Sequence, residues 1–160
     1  MDVHYETVQV TTFLAYPDGH TFDLVGINKC ETFPDTRKTR DLLGSIEFVI
    51  NGKSILDKEN IEEIEYLWGF ISRMTVELCD TRSSSTLLPD HPAELWFNLK
   101  KDGQVRVGSN NGERTVETSA NKEQLTKTLR LAGIEFYQKL DTLSDRFYSM
   151  ELRQLEAPGY

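Results

Sequence analysis

Residues 46–78 read IEFVINGKSILDKENIEEIEYLWGFISRMTVEL, and the period of their apolar side chains changes once along the way. Ile46, Phe48 and Ile50 recur at every second position, the mark of a half-buried strand. Asn51-Gly52 follows, the dipeptide that best suits the positive backbone angles of a tight hairpin turn, and Ser54-Ile55 is a brief return. The spacing then switches to three and four. Ile61, Ile64, Trp68, Ile71 and Leu78, with Leu67 alongside, make one buried helical stripe. Asp57 is a good N-cap, and Leu56 before it is spaced to pack on Ile61 as a hydrophobic staple. A helix from Asp57 to about Glu77 is predicted, with Trp68 nearly inaccessible.

Upstream, Val8, Val10, Thr12, Leu14 and Tyr16 alternate with polar Gln9 and Thr11. Pro17-Asp18-Gly19 turns the chain, and Phe22, Leu24 and Gly26 lie on one face of a second strand. Residues 28–43 lose all periodicity and read as a long loop. Downstream, residues 79–92 (CDTRSSSTLLPDHP) read as a turn-rich loop. Leu95, Phe97 and Leu99, a turn at Lys101–Gln104, and Val105 with Val107 form a hairpin. After Ser109–Gly112, Thr115–Glu117 is one more short strand. A second helix opens near Asn121, with Gln124 as capping-box partner. Leu125, Leu129, Ala132, Phe136, Leu140 and Leu143 hold one face, and Phe147 and Met150 would carry it into the low 150s. Residues 156–160 read as a frayed tail. The order is β-β-β-α-β-β-β-α. Hairpin neighbours are antiparallel, and two one-faced helices need a surface to cover. The predicted fold is α+β: an antiparallel sheet of five to six strands with both amphipathic helices on one face.

The chain has 160 residues, 38% of them hydrophobic, enough for one domain with a real core. Eighteen Lys and Arg against 26 Asp and Glu give a net charge of -8. Such a surface repels phosphate backbones and anionic lipid heads, which argues against nucleic acid and membrane as partners. No stretch approaches the roughly 20 apolar residues of a membrane helix. The opening MDVHYETVQV lacks the basic and apolar regions of a secretory signal. Cys30 and Cys79 stand apart and outside any CxxC, as expected of reduced thiols. A cytoplasmic domain is expected.

Motifs of catalysis are missing. No nucleophile elbow or phosphate-cradling glycine loop occurs, and Gly108–Gly112 joins two predicted strands as a turn. His4 and His20 read as solvated. His91 has Asp80, Asp90 and Glu94 nearby, the ingredients of a metal or acid–base site. Pro92 breaks the spacing, however, and no second histidine is close, so a plain loop histidine is expected. No catalytic residue, metal or cofactor is predicted.

Glu59, Glu62, Glu63 and Glu65 crowd the start of the predicted first helix. Acids there complement the helix dipole, but Glu59/Glu63 and Glu62/Glu65 would be like-charge neighbours without lysines four residues on. Such a face either serves a basic partner or is neutralised inside the fold, with Arg37, Lys38 and Arg40 as the available cations. Tyr66 and Phe70 lie beside these acids, off the main stripe. Trp96 falls on the strand face away from the helices. Exposed Tyr and Trp are common interface anchors, unless a broad stripe or a loop covers them.

In overall character the whole chain resembles the small, acidic, signal-free α+β immunity proteins of contact-dependent growth inhibition and other polymorphic toxin systems. The resemblance is one of type, and no family residue is carried over. It implies a non-catalytic antidote that binds and blocks a basic toxin domain, often a nuclease. Glu59, Glu62, Glu63, Glu65, Tyr66 and Trp96 are the candidate binding residues. The alternatives are an enzyme or small-molecule-binding domain with a pocket near Asp90 and His91, and an adaptor or oligomer subunit.

Overall fold

A computed structural model describes residues 7–144 and 148–156. Strands β1 (Val8–Asp18), β2 (Thr21–Gly26), β3 (Leu43–Ile50), β4 (Lys53–Leu56) and β5 (Glu62–Glu63) form one antiparallel sheet. Its order is β2-β1-β3-β4, and β5 pairs with the start of β3. Strands β6 (Ser84–Leu87), β7 (Glu94–Leu99), β8 (Gln104–Asn110) and β9 (Thr115–Asn121) form a second antiparallel sheet in sequence order. Helix α1 (Ile64–Cys79) joins the sheets, and α2 (Lys122–Leu143) and α3 (Ser149–Glu156) follow. The fold is α+β, with nine strands in two sheets among the described residues where one sheet of five to six was expected.

The alternating strands form where the sequence places them. Asn51 and Gly52 adopt φ of 50° and 80°, so the β3–β4 hairpin closes with the positive angles this dipeptide tolerates. The first hairpin turns two residues later than Pro17-Asp18 suggests. Pro17 and Asp18 still pair with Phe22 and Thr21, and Gly19 supplies the positive φ of 62°. Ser84–Leu87, read as loop, is a strand, because Ser85, Thr86 and Leu87 pair with Trp96, Leu95 and Glu94. Strand β9 runs to Asn121, four residues beyond the expected Glu117.

Both long helices press their stripes into one core. Trp68 is fully buried, stacks on Phe136 of α2 at 6.0 Å and donates its indole N–H to Thr12 Oγ1 of β1 at 3.1 Å. Phe48 and Phe97 meet edge to face at 6.5 Å, joining the two sheets within that core. Asn121 caps α2 by accepting from the Gln124 N–H. The helix ends at Leu143 and does not reach the 150s: Ser144 closes it, its N–H and hydroxyl both donating to the Leu140 carbonyl. The chain then resumes as α3, which buries Leu155 and leaves Met150 79% exposed. His4, Phe147 and residues 157–160 lie outside the described residues.

Helix α1 starts at Ile64, seven residues after the expected cap. Asp57 does cap, but only a single turn: its Oδ1 accepts from Glu59 N–H at 2.9 Å and its carbonyl from Asn60 N–H at 3.1 Å. The chain then extends so that Glu62 and Glu63 pair with Gly44 and Leu43, and Ile64 N–H donates to the Leu42 carbonyl. Backbone pairing with β3 overrides the local helical signal. Glu59 and Glu62 are therefore not on the helix, and the expected like-charge helical pairs do not exist.

Candidate functional site

The departure of residues 57–63 from helix builds the site. Pairing with β3 sets Glu63 beside Leu42 and Leu43, and so beside the end of the long 30–42 loop. Arg40, Asp41, Leu42, Glu63, Glu65 and Tyr66 line a cleft of about 340 Å³ there. Glu63, Glu65 and Tyr66 were candidates from sequence. Arg40 and Asp41 were not, because a whole hairpin and more than twenty residues separate them from Glu63 and only the β3–β5 pairing closes the gap.

Behind the cleft, two segments clasp each other. Glu62, 1% exposed, turns its carboxylate onto the 88–93 loop: Oε2 accepts from Asp90 N–H at 2.6 Å, and Oε1 meets His91 Nδ1. In return, Asp90 Oδ2 accepts from the Glu63 backbone N–H at 2.8 Å. The Glu62 carboxylate is thus consumed inside the fold, and its assignment to a binding surface is corrected. His91 is more than a plain loop residue: a buried carboxylate orients its ring, which stays 45% exposed.

The cleft itself is short of positive charge. Arg37, one of the cations expected to neutralise the acids, pairs with Asp35 at 2.7 Å. Arg40 lines the cleft with a left-handed φ of 66°, yet forms no ion pair among the described residues. Among the described residues, no lysine or arginine lies within ion-pair distance of Asp41 or Glu63. Burial raises the Glu63 carboxyl above its ordinary range, and Asp41, Asp90 and Glu62 push it further the same way. Glu65 accepts from the Tyr148 hydroxyl at 2.9 Å. Tyr66 stands 59% exposed at the rim.

The remaining candidates lie elsewhere. Glu59 is exposed on the turn after β4, outside the cleft lining. Phe70 is half-buried with the Arg73 guanidinium over its ring at 5.9 Å. Trp96 occupies the outer face of the second sheet, where Trp96, Gly108 and Glu117 form one row across β7, β8 and β9. Its ring lies against Gly108, where any Cβ would fall 2.3 Å from it, and its N–H donates to Glu117 Oε2 at 2.9 Å. Glu117 also pairs with Arg106 at 3.3 Å. The six sequence candidates are thus divided among the cleft, this platform, the Glu62 clasp and the Glu59 turn.

Among the described residues, no group of three or more His, Cys, Asp or Glu could hold a metal ion. None of the described helices is long and apolar enough to cross a membrane. Compared with protein-family models, curated proteins and solved structures, the chain matches none.

Proposed function

We propose that this chain is a non-catalytic protein-binding domain whose acidic cleft receives a basic protrusion of its partner. In the immunity-protein reading, that partner is a toxin domain of nuclease type acting in the same cytoplasm. The observation that carries the proposal is the imbalance in the cleft. Among the described residues, Asp41 and Glu63 crowd together without an ion-pair partner while Arg37 is engaged elsewhere. A lysine or arginine arriving from outside relieves that crowding, and Tyr66 at the rim offers a ring face for it to stack on. The net charge of -8 steers such a partner toward the surface at long range.

The test is affinity capture from the native host, followed by binding kinetics of Asp41→Asn and Tyr66→Ala against the captured protein. Slower association and weaker salt dependence for Asp41→Asn support the proposal. A captured partner that binds both variants like the wild type removes it.

One observation favours a second reading. A buried glutamate orienting a half-exposed histidine is the arrangement of an acid–base pair. Hydrolase activity in the purified protein, lost in His91→Ala while the fold is retained, would replace the binding proposal.

A further inference from the structure

Strand β4, at the end of the first sheet, is stitched to the second sheet where Ser109 of β8 donates its hydroxyl to the Ile55 carbonyl at 2.6 Å. Both residues line a cavity of about 240 Å³ that shares no residue with the acidic cleft. Its floor is apolar. Ile55, Leu56, Leu88 and Ala93 form it and keep 4–8% exposure, where Phe48, Trp68 and Phe97 keep none. Glu62 holds the 88–93 loop through Asp90 and His91, so the wall that Leu88 and Ala93 supply is set before any ligand arrives. The rim is charged at two points. Arg114, on the β8–β9 turn, has a guanidinium with no ion pair among the described residues. Asn111 Oδ1 accepts from the Arg114 N–H at 2.8 Å and fixes the turn that carries it. Asp57 brings the opposite charge. Its Oδ1 accepts from Glu59 N–H, and the carboxylate has no ion pair among the described residues. The two charges line one cavity yet stand too far apart to pair with each other.

We propose that this cavity binds a free aliphatic α-amino acid, with its carboxylate on Arg114, its ammonium on Asp57 and its side chain on the apolar floor. The charges select a zwitterion. A simple anion would suit Arg114 but meet the Asp57 carboxylate, and a simple cation would meet the guanidinium. A molecule that carries both charges a short distance apart satisfies each with a charge-assisted hydrogen bond. The size points the same way. Drug-sized ligands occupy pockets of roughly 300–1,000 Å³, so this smaller cavity suits a smaller molecule. A branched aliphatic side chain then covers the apolar surface that Ile55, Leu56, Leu88 and Ala93 still show to water. The site stands whether or not the acidic cleft receives a protein partner, because the two are built from different residues.

The experiment is isothermal titration calorimetry of the full chain with L-leucine, L-valine and glycine, up to about 10 mM ligand. Leucine or valine should bind saturably, with a dissociation constant of about 1 mM or lower for a ligand this small. Glycine has no side chain to cover the floor and should bind about tenfold or more weakly. N-acetyl-leucine lacks the ammonium and leucinamide lacks the carboxylate, and each should lose about tenfold or more against leucine. Arg114→Gln and Asp57→Asn should weaken leucine to a similar degree. Both residues are exposed, and asparagine keeps the Oδ1 acceptor for Glu59 N–H, so the melting temperatures should match the wild type. The two leucine derivatives probe the same charges in the unmutated protein, which keeps the test open if a variant does not fold. No saturable binding of leucine or valine across this range overturns the proposal. So does N-acetyl-leucine or leucinamide binding as tightly as leucine, or a leucine affinity that both variants leave unchanged.

Discussion

Replacing Glu62 with lysine separates the folded arrangement from the helical surface that its sequence suggests. On an exposed helix, Glu62→Lys would relieve like-charge contacts and cost nothing. In the fold, the Glu62 carboxylate is 1% exposed and holds both Asp90 N–H and the His91 ring. The lysine would place an ammonium where an acceptor is needed and leave the part-buried N–H of Asp90 without its carboxylate. Breaking a buried, hydrogen-bonded charge in this way costs about 3–5 kcal/mol. That is a large share of the roughly 5–15 kcal/mol that holds a domain together. The assay is urea unfolding followed by Trp fluorescence, with Trp68 as the buried reporter. With a slope of about 2 kcal/mol/M, the midpoint should fall by about 2 M. Glu62→Gln keeps one acceptor and should lose less, and combined with His91→Ala in a double-mutant cycle it should show coupling of about 1 kcal/mol. A Glu62→Lys midpoint equal to the wild type would refute the clasp and return Glu62 to the surface.

Glu63→Gln should act oppositely, because the Glu63 carboxyl titrates above its unfolded value of 4.5. A raised carboxyl binds its proton more tightly in the folded state, so its contribution is present below 4.5 and lost as pH rises through the folded value. Melting temperatures should match the wild type near pH 4 and exceed it near pH 7; a deficit at pH 7 would contradict this. Trp68→Ala should cost about 3–5 kcal/mol for the emptied volume, with part of the loss coming from the stranded Thr12 hydroxyl; denaturant melts check it. Gly108→Val should drive the Trp96 ring off the sheet, because a Cβ there falls 2.3 Å from it, giving a red shift in fluorescence that a Trp96→Phe background abolishes.

Sequence by itself determined the α+β class, the antiparallel hairpins and both helical stripes, because these rest on local periods of two and 3.6 residues that any partner surface satisfies. It marked Trp68 as the core anchor and Asn121 as a cap, and put Trp96 on the outward face by simple alternation. Long-range backbone pairing decided the rest. Ser84–Leu87 carries no apolar alternation and becomes a strand only because β7 offers it a ladder. Asp57 caps a turn in place of the helix because Gly44 and Leu43 compete for the backbone of Glu62 and Glu63. That competition separates four glutamates which look alike in sequence. Glu62 is sealed in the clasp with His91, Glu63 and Glu65 line the cleft with Asp41, and Glu59 is left on an exposed turn. A carboxylate's role depends on its burial and its partners, and both are set by segments distant along the chain, which no local pattern encodes.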